Sequence, residues 1–424
     1  MRGFLLLYLS GAWAGSLFGQ QGTHDPFFDR VPFDQWLGEG NQAHLHWEAI
    51  VGRAELSFHQ RLISQVEITL DGRDLVSRRG KGELVFLVQI TDAKGARYQQ
   101  HGTVDLTRLD ENVKAIDLHY AQREFVLPGD YQLAVVILDT ETNEHAASQS
   151  QFRVIAPRDS LKDAWQDLPP IEFVVAEESP ESWYLPSIQG RLKWATAVRS
   201  PIRLNVILNI SPGSRRTPSS GLAGLLPTLK VISQAESSSL DEHIEVLDLA
   251  RQRAVFEQNQ AHDLVWPKLK ASLADANTAS IDIHSLSEQR EEAQFFVSEV
   301  RKVLRSSAEK PCALVVLTKA VSLDSGEDRE PISLESLPDC RVFYIRYRAR
   351  VQGTPALAQG RTGGRGRGGR MGGPMGGGNR NPQEGDDQLE STLKPLKPKV
   401  FDVETAEEMS RALSEIEKGL LKSQ

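Results

Sequence analysis

The residues best placed to do chemistry stand at the end of one apolar stretch, Ile202 to Ser214, reading IRLNVILNISPGS. Val206, Ile207 and Leu208 run apolar without alternation, as a strand buried on both faces does. The run stops at Asn209, Ser211, Gly213 and Ser214, a turn rich in short polar groups. In open α/β folds, a parallel strand that brings amides and hydroxyls to the carboxyl edge of its sheet is where ligands bind. Here Asn209, Ser211 and Ser214 could receive an uncharged group or a partner's carboxylate. Such residues also commonly do no more than satisfy turn backbone. A second apolar run, Ala313 to Thr318 (ALVVLT), leads into Lys319.

The other candidates carry less. His44 and His46 fall on one face of an expected strand and form a possible metal pair. They lack a third ligand at useful spacing, so a solvated strand face is the expected reading. Asp282 and His284 share that spacing, with no Ser or Cys nucleophile motif beside them. The chain contains no GxSxG, HExxH or P-loop sequence. Acidic pairs such as Glu177-Glu178 and Glu291-Glu292 read as solvated faces. No catalytic residue, bound metal or cofactor is expected, and the chain reads as a non-enzyme.

The elements that must position these residues follow from size and pattern. A chain of 424 residues is too long for one ordinary core, so two or three domains are expected. A net charge of −8 gives no case for a whole-protein nucleic-acid binder. Two cysteines, not in a CxxC pair, exclude a disulfide-dense scaffold. Residues 1–19 read as a cleaved signal peptide: Met1-Arg2 is the basic start, Phe4 to Ala14 the apolar run, and Ala12 and Ala14 the small residues before a cut. Cleavage nearer Gly19-Gln20 is equally compatible. No cysteine follows to carry a lipid. No later stretch reaches the ~18 apolar residues of a membrane span. Export to the periplasm or beyond is therefore expected.

Residues 20–42 form a lead-in with Phe27, Phe28 and Trp36 as packing residues. Residues 43–156 read as an all-β sandwich. Leu62 to Leu70, Glu83 to Thr91 and Tyr131 to Asp139 alternate or are β-branched, and Asp71-Gly72, Lys94-Gly95 and Pro128-Gly129-Asp130 supply turns. Residues 157–200 are a proline-containing linker with short strands at Ile171 to Val175 and Leu192 to Thr196. Residues 201–424 alternate strand and helix, which predicts an α/β doubly wound, mainly parallel sheet. The clearest helix is Leu286 to Leu304, whose apolar residues recur at spacings of three and four. Lys399 to Val403 is a last strand and Glu404 to Leu421 a last helix. An insertion at 349–397, centred on GRTGGRGRGGRMGGPMGGGNRN, cannot bury enough apolar surface to order itself and is expected to be a disordered loop. Its arginines and glycines suit RNA phosphates, but it lacks the aromatics that stack on bases. A plain flexible loop is the expected reading.

Two resemblances sharpen this outline. Leu127-Pro128-Gly129-Asp130-Tyr131-Gln132-Leu133 resembles the start of a late strand in immunoglobulin-like and fibronectin-like domains. There a tyrosine packs inward while its hydroxyl bonds back to a loop backbone. Residues 201–424 resemble a von Willebrand factor A domain. The match rests on the strand ending Asn209-Ile210-Ser211-Pro212-Gly213-Ser214, on ALVVLTKA at Ala313 to Ala320, and on KVFDVETAEEMSRALSEI from Lys399 to Ile416. A sandwich placed before such a domain resembles exported bacterial proteins of the same two-part plan.

In that family the first strand ends Asp-x-Ser-x-Ser, and these residues, a loop Thr and a later Asp hold a divalent cation. Here the first Asp position is Asn209, Ser211 matches the first Ser, Gly213 takes the second, and Lys319 stands where the later Asp would be; Thr278 is a candidate for the loop Thr. A hard cation needs carboxylate oxygens, so the resemblance implies a degenerate site. It also makes the strands after Cys312 and Cys340 neighbours, which puts both cysteines at one edge and implies a disulfide in an oxidising compartment. The expected function is an exported, non-enzymatic binding or scaffold protein. Its partner would be a protein or a cell-envelope component, identity open, with nucleic acid not expected. The alternatives are an adhesion module that keeps a cation on Ser211, Ser214 and Thr318, and an enzyme of unrecognised type.

Overall fold

The computed structural model describes residues 22–109, 117–157, 162–174, 190, 192, 194–195, 198, 200–211, 222–237, 239–259, 264–276, 289–307, 310–319, 340–348 and 387–421. The expected signal peptide, Gly213, Ser214, Thr278, Asp282, His284 and the centre of the Gly/Arg-rich insertion lie outside these.

The amino-terminal half holds helices α1 (Phe33–Glu39) and α2 (Gly72–Val76) and nine strands. These are β1 (Trp47–Val51), β2 (Glu55–Leu56), β3 (Leu62–Leu70), β4 (Glu83–Asp92), β5 (Arg97–Asp105), β6 (Leu118–Val126), β7 (Gly129–Asp139), β8 (His145–Val154) and β9 (Ile171–Phe173). They make two antiparallel sheets, ordered β1-β3-β6-β9 with β2 beside β3, and β5-β4-β7-β8. Every second residue of β3 is buried, as a strand with one face on a core requires. The sheets pack face to face, with Phe86 of β4 stacked on Tyr120 of β6 at 4.3 Å. β4 does not alternate, because its other face is covered too. Val85 and Leu87 lie under Phe28, Phe33 and Trp36 of the lead-in. Tyr131 packs its ring inward and donates its hydroxyl to the Leu127 carbonyl at 2.8 Å.

The carboxyl-terminal half winds strands and helices alternately. Its strands are β10 (Trp194–Ala195), β11 (Ile202–Asn209), β12 (Ala235–Glu236), β13 (Leu240–Asp248), β14 (Arg253–Asn259), β15 (Cys312–Lys319), β16 (Cys340–Tyr347) and β17 (Lys399–Val403). Its helices are α3 (Leu222–Ile232), α4 (Trp266–Ala276), α5 (Gln289–Arg305), α6 (Gln388–Leu393) and α7 (Ala406–Leu421). One mixed sheet runs β14-β13-β11-β15-β16-β17. Every neighbouring pair is parallel except β13 and β14, which form an antiparallel edge. The apolar stripe of α5 (Ala293, Phe296, Val300, Val303, Leu304) covers one face over Ile207, Leu314 and Val316. α3, α4 and α7 cover the other, with Leu225, Leu229, Leu269, Met409 and Leu413 in the core. Burial on both faces is why β11 and β15 read as continuous apolar runs.

Three expectations are corrected. His44 and His46 precede β1 rather than lying in a strand; both are exposed, and His46 Nδ1 sits 3.0 Å from Asp74. The insertion is shorter at its carboxyl end than 349–397. Asp387 caps α6 by accepting from the Leu389 and Glu390 amides, and Leu389 and Leu393, four apart on one helix face, are fully buried. The linker is shared between the halves: β9 pairs with β6 of the sandwich, whereas β10 pairs with β12 of the second half.

The halves share an apolar core. The turn Ser57 to Arg61 fastens them. Phe58 packs on Tyr347 at 5.1 Å, Gln60 donates to the Ala406 carbonyl at 3.2 Å, and Trp165 donates to the Gln60 carbonyl at 2.8 Å. Gln60 takes a left-handed backbone, φ 56°, to make this turn. Behind it, buried Arg61 pairs with Glu172 at 2.6 Å and lies over the Phe125 ring at 4.5 Å.

Candidate functional site

Strand order alone picks out one place. Going along the chain, the sheet grows from β11 outward through β13 to β14, then resumes on the other side of β11 with β15. The carboxyl ends of β11 and β15 therefore flank the point where winding reverses, which is where open α/β sheets form a crevice. Asn209 ends β11 and Thr318-Lys319 ends β15, so the fold brings together residues 109 positions apart.

The polar groups at this edge are engaged with one another. Asn209 Nδ2 donates to Thr318 Oγ1 at 3.0 Å, and Thr318 Oγ1 donates to the Lys319 carbonyl at 2.8 Å. Asn209 Oδ1 accepts the Ser211 amide at 3.0 Å. Ser211 Oγ donates to Asp248 Oδ1 at 3.3 Å and accepts the Ala250 amide at 3.1 Å. Arg251 lies 3.6 Å from Asp248 Oδ2. Asn209, Ser211, Asp248 and Thr318 are all buried. Each group thus regains a partner for the water it gave up, as buried polar groups must.

Asp248 is the residue that sequence reading missed. It ends β13 directly after the apolar pair Val246-Leu247, at the position on β13 next to the one Asn209 holds at the end of β11. Its relevance appears only when β13 pairs in register with β11, setting Leu247 beside Asn209. Lys319 stands half-buried at the end of β15, and burial pushes its pKa down. Among the described residues no carboxylate pairs with its ammonium.

These residues do not fit a hard divalent cation. Asp248 is the single carboxylate in the chain of contacts, and it is already met by Ser211 and Arg251. At a protein surface two unit charges 4 Å apart interact by about 4 kcal/mol, and a dication doubles the repulsion from an ammonium. Among the described residues no group of three or more His, Cys, Asp or Glu side chains is arranged to hold a metal.

The cysteines lie at the other end of the sheet. Cys312 and Cys340 are register partners at the starts of β15 and β16 and are disulfide-bonded, Cα to Cα 4.7 Å.

Among the described residues, buried or closely gathered ionisable groups occur elsewhere as well. Glu124, in the sandwich core, accepts the Ser64 hydroxyl on one oxygen while the other has no partner; burial pushes its pKa up to about 8. Glu242 of β13 is 1% exposed with neither oxygen hydrogen-bonded, and burial raises it to about 8 as well. On the α5 side, Lys302 draws Glu245, Glu299 and Glu257 together at 2.9, 3.0 and 3.5 Å. Arg346 likewise gathers Asp387, Glu390 and Asp402 at 3.2, 3.0 and 2.6 Å, fastening α6 to β16 and β17. Among the described residues no helix is long and apolar enough to cross a membrane.

No protein-family model and no curated protein matches the chain. Among solved structures, a structural genomics target designated SoR45 is 16% identical over 27% of this chain and 87% of its own, with a TM-score of 0.17. The putative ApaA protein from Bordetella pertussis is 11% identical over 27% of this chain and 96% of its own, with a TM-score of 0.17. Likeness at that level carries no argument about fold or function.

Proposed function

We propose that this protein is an exported, non-enzymatic binding or scaffold protein. In this reading an immunoglobulin-like sandwich leads into a von Willebrand factor A-like domain whose cation site has eroded. The partner is a protein or a cell-envelope component, met at the carboxyl edge of the mixed sheet. One observation carries the reading. At the winding reversal, Asn209 and Thr318 bond to each other and Lys319 follows them, so an amide and an ammonium stand where a cation would need anions.

Other features support the reading. The tyrosine hydroxyl of Tyr131 returns to the Leu127 carbonyl in the manner of the sandwich family. The disulfide suits an oxidising compartment. Asn209, Thr318 and Asp248 each spend their side chains on structural contacts rather than facing a reacting group. Isothermal titration of the full chain with Mg²⁺ and Mn²⁺ tests the proposal. No saturable heat is expected. Stoichiometric binding that Ser211→Ala abolishes would overturn it in favour of a cation-dependent adhesion module.

A further inference from the structure

Among the described residues, a stretch of unpaired strand backbone lies on the sandwich, far in sequence from the sheet-edge site. β8 is the last strand of its sheet, and its pairing with β7 fixes which way each residue faces. Asp139 donates to the Glu144 carbonyl at 3.0 Å, so even-numbered residues bond to β7. Odd-numbered residues look outward. The His145 carbonyl accepts from the Gln42 and Ala43 amides at 2.8 and 2.7 Å, and the Ala147 amide donates to Asn41 Oδ1 at 2.8 Å. The lead-in therefore closes the first part of this edge. Gln149, Gln151 and Arg153 continue the same outward row, and among the described residues nothing pairs with their backbone groups.

Exposed edges are normally guarded by charge, proline, a bulge or a cover. β5, the other edge of this sheet, is covered, since the Gln99 amide donates to the Thr23 carbonyl at 2.9 Å. β14, an edge of the mixed sheet, carries a register shift and exposed charges at Arg253 and Glu257. From Ser148 to Phe152 β8 has none of these guards: the sequence is SQSQF, with Ser148 to Gln151 exposed.

We propose that this free edge pairs with a second copy of the chain. The two β8 strands run antiparallel about a two-fold axis at Gln151, which joins two four-stranded sheets into one. The occupant follows from self-complementarity. An axis at Gln151 sets Gln149 opposite the second copy's Arg153 and Ser150 opposite its Phe152, so no like charges meet. Arg153 is itself neutralised by Asp130, 2.5 Å away. The pairing also continues the edge contact that Asn41 to Ala43 begin. It brings a second chain over the end of β8, where Ile155 is 77% exposed, the highest value for a large apolar residue among the described residues. So short a ladder buries less than a standard interface of about 1,600 Å², and the dimer is expected to dissociate on the order of micromolar concentration.

The test uses the full chain. In a closely paired antiparallel ladder, residues facing each other across the axis have Cα atoms about 5.5 Å apart, within reach of a disulfide. The native cysteines are already bridged, so Gln151→Cys adds one free thiol. It is expected to oxidise to a covalent dimer, whereas Gln132→Cys, exposed on β7 between β4 and β8, stays monomeric. Sedimentation equilibrium of the unaltered protein should show a concentration-dependent dimer. Gln151→Pro removes only an outward N–H and should abolish that dimer with thermal unfolding unchanged; if it does not fold, Gln151→Lys puts two ammonium groups on the axis instead. The proposal fails if the unaltered protein stays monomeric to several hundred micromolar, if the dimer survives these substitutions, or if Gln151→Cys does not cross-link.

Discussion

Glu124 makes stability depend on pH in a direction opposite to that of a paired surface carboxylate. It is 0% exposed, the Ser64 hydroxyl and the Val66 backbone serve it from a neighbouring strand, and burial outweighs both, moving its pKa from 4.5 to about 8. A carboxyl whose pKa is raised by folding costs nothing below its unfolded value, because both states hold the proton. As pH rises above 4.5 the unfolded chain releases its proton while the folded chain retains it, and stability falls by about 1.4 kcal/mol per unit until the folded pKa is passed. At pH 7 the accumulated loss from this one group is about 3 kcal/mol. Glu124→Gln removes the titration while keeping the shape and the acceptor for Ser64. Urea unfolding at pH 4, 5.5 and 7 should therefore show the variant gaining about 3 kcal/mol on the native protein between the first and last points, at unchanged m-value. The amide's own unmatched N–H groups shift the variant equally at every pH, so the difference in slope is the quantity to read. Parallel stability curves would refute the reasoning, and would mean that water or a local opening reaches this carboxyl in the folded state.

Further outcomes follow from the same contacts. Replacing both Asn209 and Lys319 by Asp places two carboxylates at the ends of β11 and β15, and should produce Mn²⁺ binding in calorimetry that the native chain is expected to lack. Cys312→Ser with Cys340→Ser opens a loop with a sequence separation of 28; the chain-entropy model predicts a loss of about 3–4 kcal/mol, visible as a lower urea midpoint. Arg61→Ala leaves the buried Glu172 carboxylate with the Gly190 amide but without its guanidinium and should cost about 3–5 kcal/mol, whereas Arg61→Met with Glu172→Leu should come close to neutral.

Much of the architecture was legible along the chain. The division into an all-β half and a strand–helix half follows from period alone: β3 alternates, whereas β11 and β15 are apolar throughout. The helix that becomes α5 is announced by its stripe, and α6 was equally announced by Leu389 and Leu393 but was masked by the glycine-rich stretch before it. The lead-in's aromatics pack on another element's face, the outer side of β4 and β7. Nothing local to Phe28 or Trp36 encodes that face.

Sequence by itself determined which side chains can sit at the ends of β11 and β15: that an amide and an ammonium stand there, Asn209 and Lys319, is a fact of composition. Only the tertiary structure decided what those side chains do. Asp248 enters the site because β13 lies in parallel register with β11, and Thr318 meets Asn209 because β15 lies on the other side. The same holds for β8, whose bare edge is visible only once β7 has claimed its even-numbered residues and the lead-in has covered its beginning. Local pattern sets what each strand can offer. Register and sheet order, fixed by burying many apolar residues at once, choose the neighbour to which it is offered.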